Sequence, residues 1–155
     1  LSPIGNVLDF GCGTGLFTAM VASKATSVVG LDVSVKMIEV LDGKKINNVS
    51  TVSEELTEEL IRTNPHLQKK FDVIVASSAL AFVPDYANTV KLLRSMLTTT
   101  GVLVQWDWEK TGDSKDGFTE DGVKTVLSAA GYSSVTVTHP PFTMGMAPLM
   151  VVARA

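Results

Sequence analysis

Short unbroken apolar runs alternate along this chain with stretches in which apolar residues recur three and four positions apart. The first kind of block reads as a strand buried on both faces, the second as a helix with one apolar side. Val7–Phe10 stops at glycine and predicts a first strand. Leu16–Lys24 predicts a helix with Phe17, Met20 and Val21 on its inner face. Ser27–Leu31 predicts a second strand. Ser34 can cap the next helix, whose inner face is Met37, Ile38 and Leu41, and Asp42-Gly43 supplies its stop.

Val49–Ser53 is a weaker third strand, and Glu54–Arg62 a helix broken by Asn64-Pro65. Phe71–Ser77 is the clearest buried strand. Asp85 caps a helix that presents Val90, Leu93, Met96 and Leu97, and Gly101 ends it. Val102–Trp106 is a fifth strand. Residues 112–117 are polar and turn-rich and read as a loop. Thr119–Ala130 is a helix with Glu120 and Asp121 in its first turn, where negative charge suits the helix dipole. Val135–Thr138 and Leu149–Arg154 are the last strands. Strands alternating with helices predict βαβ units, hence an α/β fold with a doubly wound, mostly parallel sheet between two helical layers. The last two strands have no helix between them and predict an antiparallel pair. Residues 1–155 read as a single domain without repeats.

The first strand runs into Gly11-Cys12-Gly13-Thr14-Gly15. Alternate glycines permit a tight turn and let backbone approach a ligand. The turn opens a helix, whose free N–H groups favour an anionic group. In a doubly wound sheet such a turn sits where ligands bind, at the carboxyl ends of the strands. The dinucleotide fingerprint G-x-G-x-x-G needs its third glycine one position later than Gly15. Asp9 is a second departure, because a carboxylate there works against a pyrophosphate. It suits S-adenosyl-L-methionine, which carries an ammonium and a sulfonium. Asp32 ends the second strand, roughly 20 residues on, where an acid binds ribose hydroxyls. Both cofactors carry that ribose, so Asp32 does not discriminate between them. Cys12 reads as a small turn residue: no second cysteine or histidine is placed to activate it or to share a metal.

Charge and composition narrow the partners. The net charge of −3 lacks the basic field that nucleic-acid phosphates require, and Lys44-Lys45 and Lys69-Lys70 read as solvated loop charges. With one cysteine there is no internal disulfide, which fits a reducing compartment; a cytoplasmic location is the expectation. No apolar run approaches the ~20 residues of a membrane span, and no signal peptide is recognisable.

"VLDFGCGTG" followed by "VVGLDVS" resembles motifs one and two of the class I S-adenosylmethionine-dependent methyltransferases. "FDVIVASSALAFVPD" resembles their fourth-strand motif in the small-molecule branch. "GVLVQWDWE" resembles the fifth strand, and "DGFTEDGVKTVLSAAGY" the approach to the sixth. The resemblance implies a Rossmann-like seven-stranded sheet, order 3-2-1-4-5-7-6, with strand seven antiparallel. It implies that Asp9 and Gly11, Cys12, Gly13 and Gly15 hold the methionine part, and that Asp32 binds both ribose hydroxyls. Val33 and Met37 would pack on the adenine. Ser53 or Glu54 would face its amino group, or simply start a solvated helix. Ser77 and Ser78 would lie near the methionine moiety, or merely end the strand.

Two departures from the family stand out. Many relatives place one or two histidines after the fourth strand, where this chain has Ala81 and Phe82. Phe82 is then an apolar wall or core, and no catalytic base is assigned. Asp107, Glu109, Tyr86 and His139 are the titratable groups near the expected pocket; His66 reads as a loop residue. Relatives also carry helices before the first strand, for which this chain has no room. The expectation is either a piece of a longer protein or an unusually open site.

Trp106 and Trp108 fall on one side of the fifth strand, to line a substrate pocket or to cover a helix. The loop from Lys110 to Phe118 is a lid or plain solvated surface. No Asn-Pro-Pro-Tyr tetrad and no Pro-Cys nucleophile is present, which leaves a small-molecule methyl acceptor as the default. No metal is expected. The competing readings are a non-catalytic S-adenosylmethionine-binding scaffold or subunit and a nicotinamide-dependent oxidoreductase; glycine spacing and Asp9 argue against the latter.

Overall fold

The computed structural model describes residues 3–110, 117–141 and 147–155. In chain order, β1 (Asn6–Phe10) leads to α1 (Leu16–Ala22), β2 (Ser27–Leu31) to α2 (Val35–Asp42), and β3 (Val49–Val52) to α3 (Glu58–Thr63). β4 (Phe71–Ser77) is followed by a 3₁₀ turn (Leu80–Phe82), α4 (Tyr86–Met96) and β5 (Leu97–Trp108). α5 (Glu120–Ala129), β6 (Ser134–Thr138) and β7 (Pro148–Arg154) complete the fold. The ends of the 110–118 loop are described; its centre, and with it the lid reading, lies outside the described residues.

The strands form one seven-stranded sheet in the order β3-β2-β1-β4-β5-β7-β6. β7 runs antiparallel to both β5 and β6, as expected for strands joined without a helix. β1 lies inside the sheet: Leu8 faces Val29 of β2 on one side and Ile74 of β4 on the other. The chain moves outward from β1 to β3, then restarts at β4 on the other flank. That reversal opens a crevice at the carboxyl ends of β1 and β4.

Helices cover the sheet on two faces. Ala22 of α1 packs with Val7 and Val28, and Ile38 and Leu41 of α2 pack with Cys12. The main core lies on the other face. There Leu60 of α3, Val90 and Leu93 of α4, and Val123 and Leu127 of α5 join Leu8, Ile74, Leu103 and Val151. Side-chain caps fix the helix starts. Asp85 accepts from the Asn88 amide at 2.9 Å, and Thr119 from Gly122 at 3.2 Å.

The structure corrects four expectations. In α1 the sheet-facing residues are Thr18 and Ala22, while Met20 is 66% exposed, because the Thr18 hydroxyl is drawn onto Asp9 of β1. In α2 only Ile38 and Leu41 turn inward, and Met37 is 43% exposed. The third helix begins at Glu58, not Glu54, because Thr57 caps it by accepting from the Leu60 amide at 3.0 Å. The fourth ends at Met96. Leu97 already pairs with Phe71, and a register shift carries β5 past Gly101 before Val102 meets Val73. Gly101 lies within that shift, where a side chain would press on the Phe71 carbonyl at 2.9 Å.

Burial separates two methionine-sized truncations. Leu93→Ala, at a fully buried site, is expected to cost about 2–5 kcal/mol in urea unfolding. Met20→Ala is expected to stay within about 0.5 kcal/mol of the parent; a large loss there would contradict the observed face of α1.

Candidate functional site

β1 ends against β2, and the end of β2 shapes the glycine turn. The amides of Gly11 and Cys12 both donate to the Leu31 carbonyl, at 2.8 and 3.1 Å. Gly11, Gly13 and Gly15 all have left-handed backbones, with φ of 70°, 53° and 75°. Glycine adopts these without strain. Close approach adds a second reason at two of them: a β-carbon at Gly11 would meet Ala79, and one at Gly15 would meet Leu41. Gly13 differs, since a β-carbon there would find nothing within 4 Å. Its bare backbone faces open space.

Asp32 binds the turn to the next one. Its Oδ2 accepts from the Gly13 amide and its Oδ1 from the Ser34 amide, both at 2.8 Å. A carboxylate offers about four lone-pair sites, so two remain for other donors. Beside this clamp lies a cavity of about 530 Å³. Phe10 and Gly11 form its floor; Leu31, Asp32 and Val33 form one side. Ser78, Ala79, Phe82, Val83 and Pro84, the segment after β4, form the other, and Glu55 and Leu56 close it from beyond β3. The volume falls within the range of small-molecule sites.

Of the residues named from sequence, Gly11, Asp32, Val33, Ser78 and Phe82 line this cavity. Gly13 lies beside it through the Asp32 bond. Ser78 turns in with φ of 53° while its amide donates to the Trp106 carbonyl at 2.6 Å; Ser77 is exposed and does not line the cavity. Ser53 Oγ is buried without a hydrogen-bond partner just past β3. Glu54 is exposed off the wall, and its neighbour Glu55 lines it instead. Met37 stands on the outside of α2 and Cys12 lies beneath the turn. Burial pushes the Cys12 thiol up to about 12, with the charges of Asp9 and Asp32 acting the same way, which leaves it unreactive. Phe82 is 74% exposed, so it is wall and not core, and Trp108 supports it edge-on with ring centroids 5.6 Å apart. Trp106 sits on the same side of β5 and does not line the cavity. Leu56, Val83, Pro84 and Thr89 escaped the sequence reading. For Val83 and Pro84 the apolar "AFVP" after the fourth strand was a signal; Leu56 and Thr89 had none.

Two acids near the carboxyl ends of the strands are buried. Asp9 is 2% exposed and lies behind the turn, not on the cavity wall. The Thr18 hydroxyl donates to its Oδ2 at 2.5 Å. Burial pushes its carboxyl up to about 6, the Thr18 hydroxyl and amide oppose this, and the Asp32 charge adds to it. Asp107 is equally buried and is pushed up to about 7 by burial, against the Gln105 side chain and the Ala81 amide. Glu109 pairs with His139 at 3.4 Å, and His66 is an exposed loop residue. Among the described residues no cluster of histidine, cysteine or acid could hold a metal, and no helix is long and apolar enough to cross a membrane.

A family profile described as "Methyltransferase domain" matches residues 8–103, more than half of the chain. Over 100 residues the chain is 34% identical to a ubiquinone biosynthesis O-methyltransferase of Histophilus somni, covering 63% of this chain and 42% of that protein. It is 30% identical over 103 residues to a trans-aconitate 2-methyltransferase of Deinococcus radiodurans, covering 65% and 37%. The chain thus spans less than half the length of these curated relatives. Among solved structures, an S-adenosylmethionine-dependent methyltransferase from Mesorhizobium loti superposes with a TM-score of 0.76 at 19% identity, covering 100% of this chain and 94% of that one. A DhpI-SAM-HEP complex gives 0.75 at 22% identity, covering 97% and 78%.

The raised acids make stability depend on pH. A carboxyl that binds its proton more tightly when folded contributes stability that is complete below about pH 4 and is lost as pH rises through its folded value. For Asp9 that window closes near 6. In urea unfolding, Asp9→Asn is expected to gain about 1–2 kcal/mol on the parent between pH 5 and pH 8. A constant difference across that range would refute the buried titration.

Proposed function

This chain belongs to the family of methyltransferase domains, and on that premise we propose that it binds S-adenosylmethionine and transfers its methyl group to a small-molecule acceptor. The observation that carries the reading is the Asp32 clamp on Gly13 at the lip of the cavity. It combines a carboxylate with spare lone pairs, a bare backbone with open space before it, and an apolar wall. Those are the three needs of a ligand with a ribose, a zwitterionic tail and a flat base.

The fit extends to named residues. Asp32 would accept from the ribose hydroxyls through its unused lone pairs. The Gly11–Gly15 turn and Ser78 would hold the methionine end, with Asp9 contributing negative charge from behind. Val33, exposed at the cavity side, would pack on the adenine. The Ser53 hydroxyl, buried without a partner, would be the candidate for the adenine amino group in place of the exposed Glu54, since a buried polar atom gains most from a donor. When bound, S-adenosylmethionine supplies a methyl group already activated on a sulfonium. The protein's task is then to align an acceptor with that methyl and exclude water. Phe82, braced by Trp108, presents an exposed apolar surface on the cavity wall for this.

A small acceptor is supported by three features. Relatives are named for ubiquinone biosynthesis and for trans-aconitate. The net charge of −3 disfavours nucleic acid. The cavity is of small-molecule size. Among the described residues no side chain lining it is a histidine, so an acceptor that arrives protonated would need another base.

Calorimetric titration with S-adenosylhomocysteine, S-adenosylmethionine and NAD tests the cofactor reading. Micromolar binding of the first two without NAD is expected, and absence of binding would refute it. Asp32→Ala should weaken S-adenosylhomocysteine at least about tenfold, as loss of hydrogen bonds to a charged group worth about 1.5–3 kcal/mol implies. Unchanged affinity would remove Asp32 from the site. Binding without turnover over a broad panel of acceptors would favour a scaffold role.

A further inference from the structure

A polar cluster lies at the carboxyl end of β5, in contact with the cavity wall but outside the cavity itself. Gln105 and Asp107 point into the main core at 0% and 2% exposure, on the face that otherwise carries Leu103, Leu149 and Val151. The Tyr86 hydroxyl, from the first residue of α4, donates to Gln105 Oε1 at 2.8 Å. Gln105 Nε2 donates onward to Asp107 Oδ2 at 3.0 Å. Asp107 Oδ1 is buried and completes no hydrogen bond of good geometry, although the Ala81 amide lies near enough to favour the carboxylate charge. A buried polar chain with one open oxygen is destabilising relative to an apolar core.

The chain straddles the 3₁₀ turn. Tyr86 follows the turn, Ala81 belongs to it, and Asp107 lies beside it on β5. Phe82 is the last residue of the turn; it lines the cavity and rests on Trp108, the residue after Asp107. Tyr86 is held in turn by Phe118, with ring centroids 4.8 Å apart. Val83 and Pro84 continue the wall from there.

We propose that Asp107 is a positioning residue whose ionised carboxylate fixes the Leu80–Phe82 turn, and with it the Phe82–Pro84 wall of the cavity, so that one proton governs the wall. That the wall serves a cofactor rests on the function proposed above. Direction follows from the donors. The Gln105 amide donates to Asp107, the Tyr86 hydroxyl reinforces Gln105, and the Ala81 amide lies near enough to favour the carboxylate charge. Hydrogen bonds to a charged acceptor are roughly twice as strong as neutral ones, so ionisation tightens the hold on the turn. Protonation weakens the Gln105 bond and removes the charge that the Ala81 amide favours.

Among the described residues, the groups facing Asp107 are few. Tyr86 approaches from α4 and is kept neutral by burial and by the Asp107 charge. β7 contributes Leu149, and the turn contributes only backbone. Glu109, further along β5, is paired with His139. Burial sets the exchange between the two forms near pH 7.

Amide NMR of the whole chain tests this, in a His139→Gln background that removes the nearby imidazole. The Ala81, Phe82 and Val83 amides are expected to shift with a midpoint near 7 and to stay still in Asp107→Asn. Gln105→Leu removes a donor that favours the charge, so it should move the midpoint upward even if Asp107→Asn folds poorly. Alongside, S-adenosylhomocysteine affinity should fall roughly threefold or more between pH 8 and pH 5.5, a coupling of ordinary size, and the part of the fall centred near 7 should be absent from Asp107→Asn. Amides that titrate alike in the parent and Asp107→Asn overturn the proposal, as does an affinity indifferent to the proton the amides report. Failure of the parent to bind S-adenosylhomocysteine at any pH overturns the cofactor reading instead, and the amides still decide whether Asp107 holds the turn.

Discussion

One carboxylate holds two turns of the site in place. Asp32 accepts from the Gly13 and Ser34 amides, and these two bonds join the loop after β1 to the loop after β2. Ser34 is the N-cap of α2, where backbone donors lack intrahelical partners, and Gly13 lies in the turn that leads into α1. The sheet makes the arrangement possible. Parallel pairing sets Phe10 opposite Leu31, so the two strands finish level and the next residues meet. The Leu31 carbonyl then takes the amides of Gly11 and Cys12, and Asp32 takes the one beyond. Glycines follow from that geometry, since the chain must turn back left-handed at each of three alternate positions.

The same end of the sheet stores charge. Asp9 faces α1 and Asp107 faces α4, on opposite faces of the sheet, and each is nearly buried. A fully apolar residue in either place would pack without a desolvation penalty. Each acid instead ties a strand end to a neighbouring element. Asp9 reaches α1 through Thr18, and Asp107 reaches α4 through Gln105 and Tyr86. Strands of a parallel sheet end where ligands bind, so rigidity gained there is rigidity of the site. Perturbed acids cluster at functional sites for this kind of reason.

Much of this was legible in the chain itself. The buried runs marked the inner strands, because an apolar run bounded by glycine or aspartate has few other stable outcomes. Gly11, Gly13, Gly15 and Asp32 stood out because a turn of that geometry admits few other residues. Less legible were the faces of α1 and α2. Met20 and Met37 are apolar at helical spacing, yet both are exposed, since the shorter Thr18 and the branched Ile38 fit the available depth. The start of β5 was also hidden. Leu97 continues the apolar pattern of α4, and only pairing with Phe71 makes it a strand.

Sequence by itself determined the order of elements, the turn after the first strand, the acid after the second and the likeness to methyltransferase domains, because these depend on local backbone chemistry and on near-neighbour patterning. Only the tertiary structure decided which side chains meet. It put Asp9 behind the turn and Glu55 on the wall in place of Glu54. It brought Val83, Pro84 and Leu56 around one cavity, and linked Tyr86, Gln105 and Asp107 across three elements. The physical reason is that strand spacing, sheet twist and helix packing set those contacts, and none of these is a property of neighbouring residues in the chain.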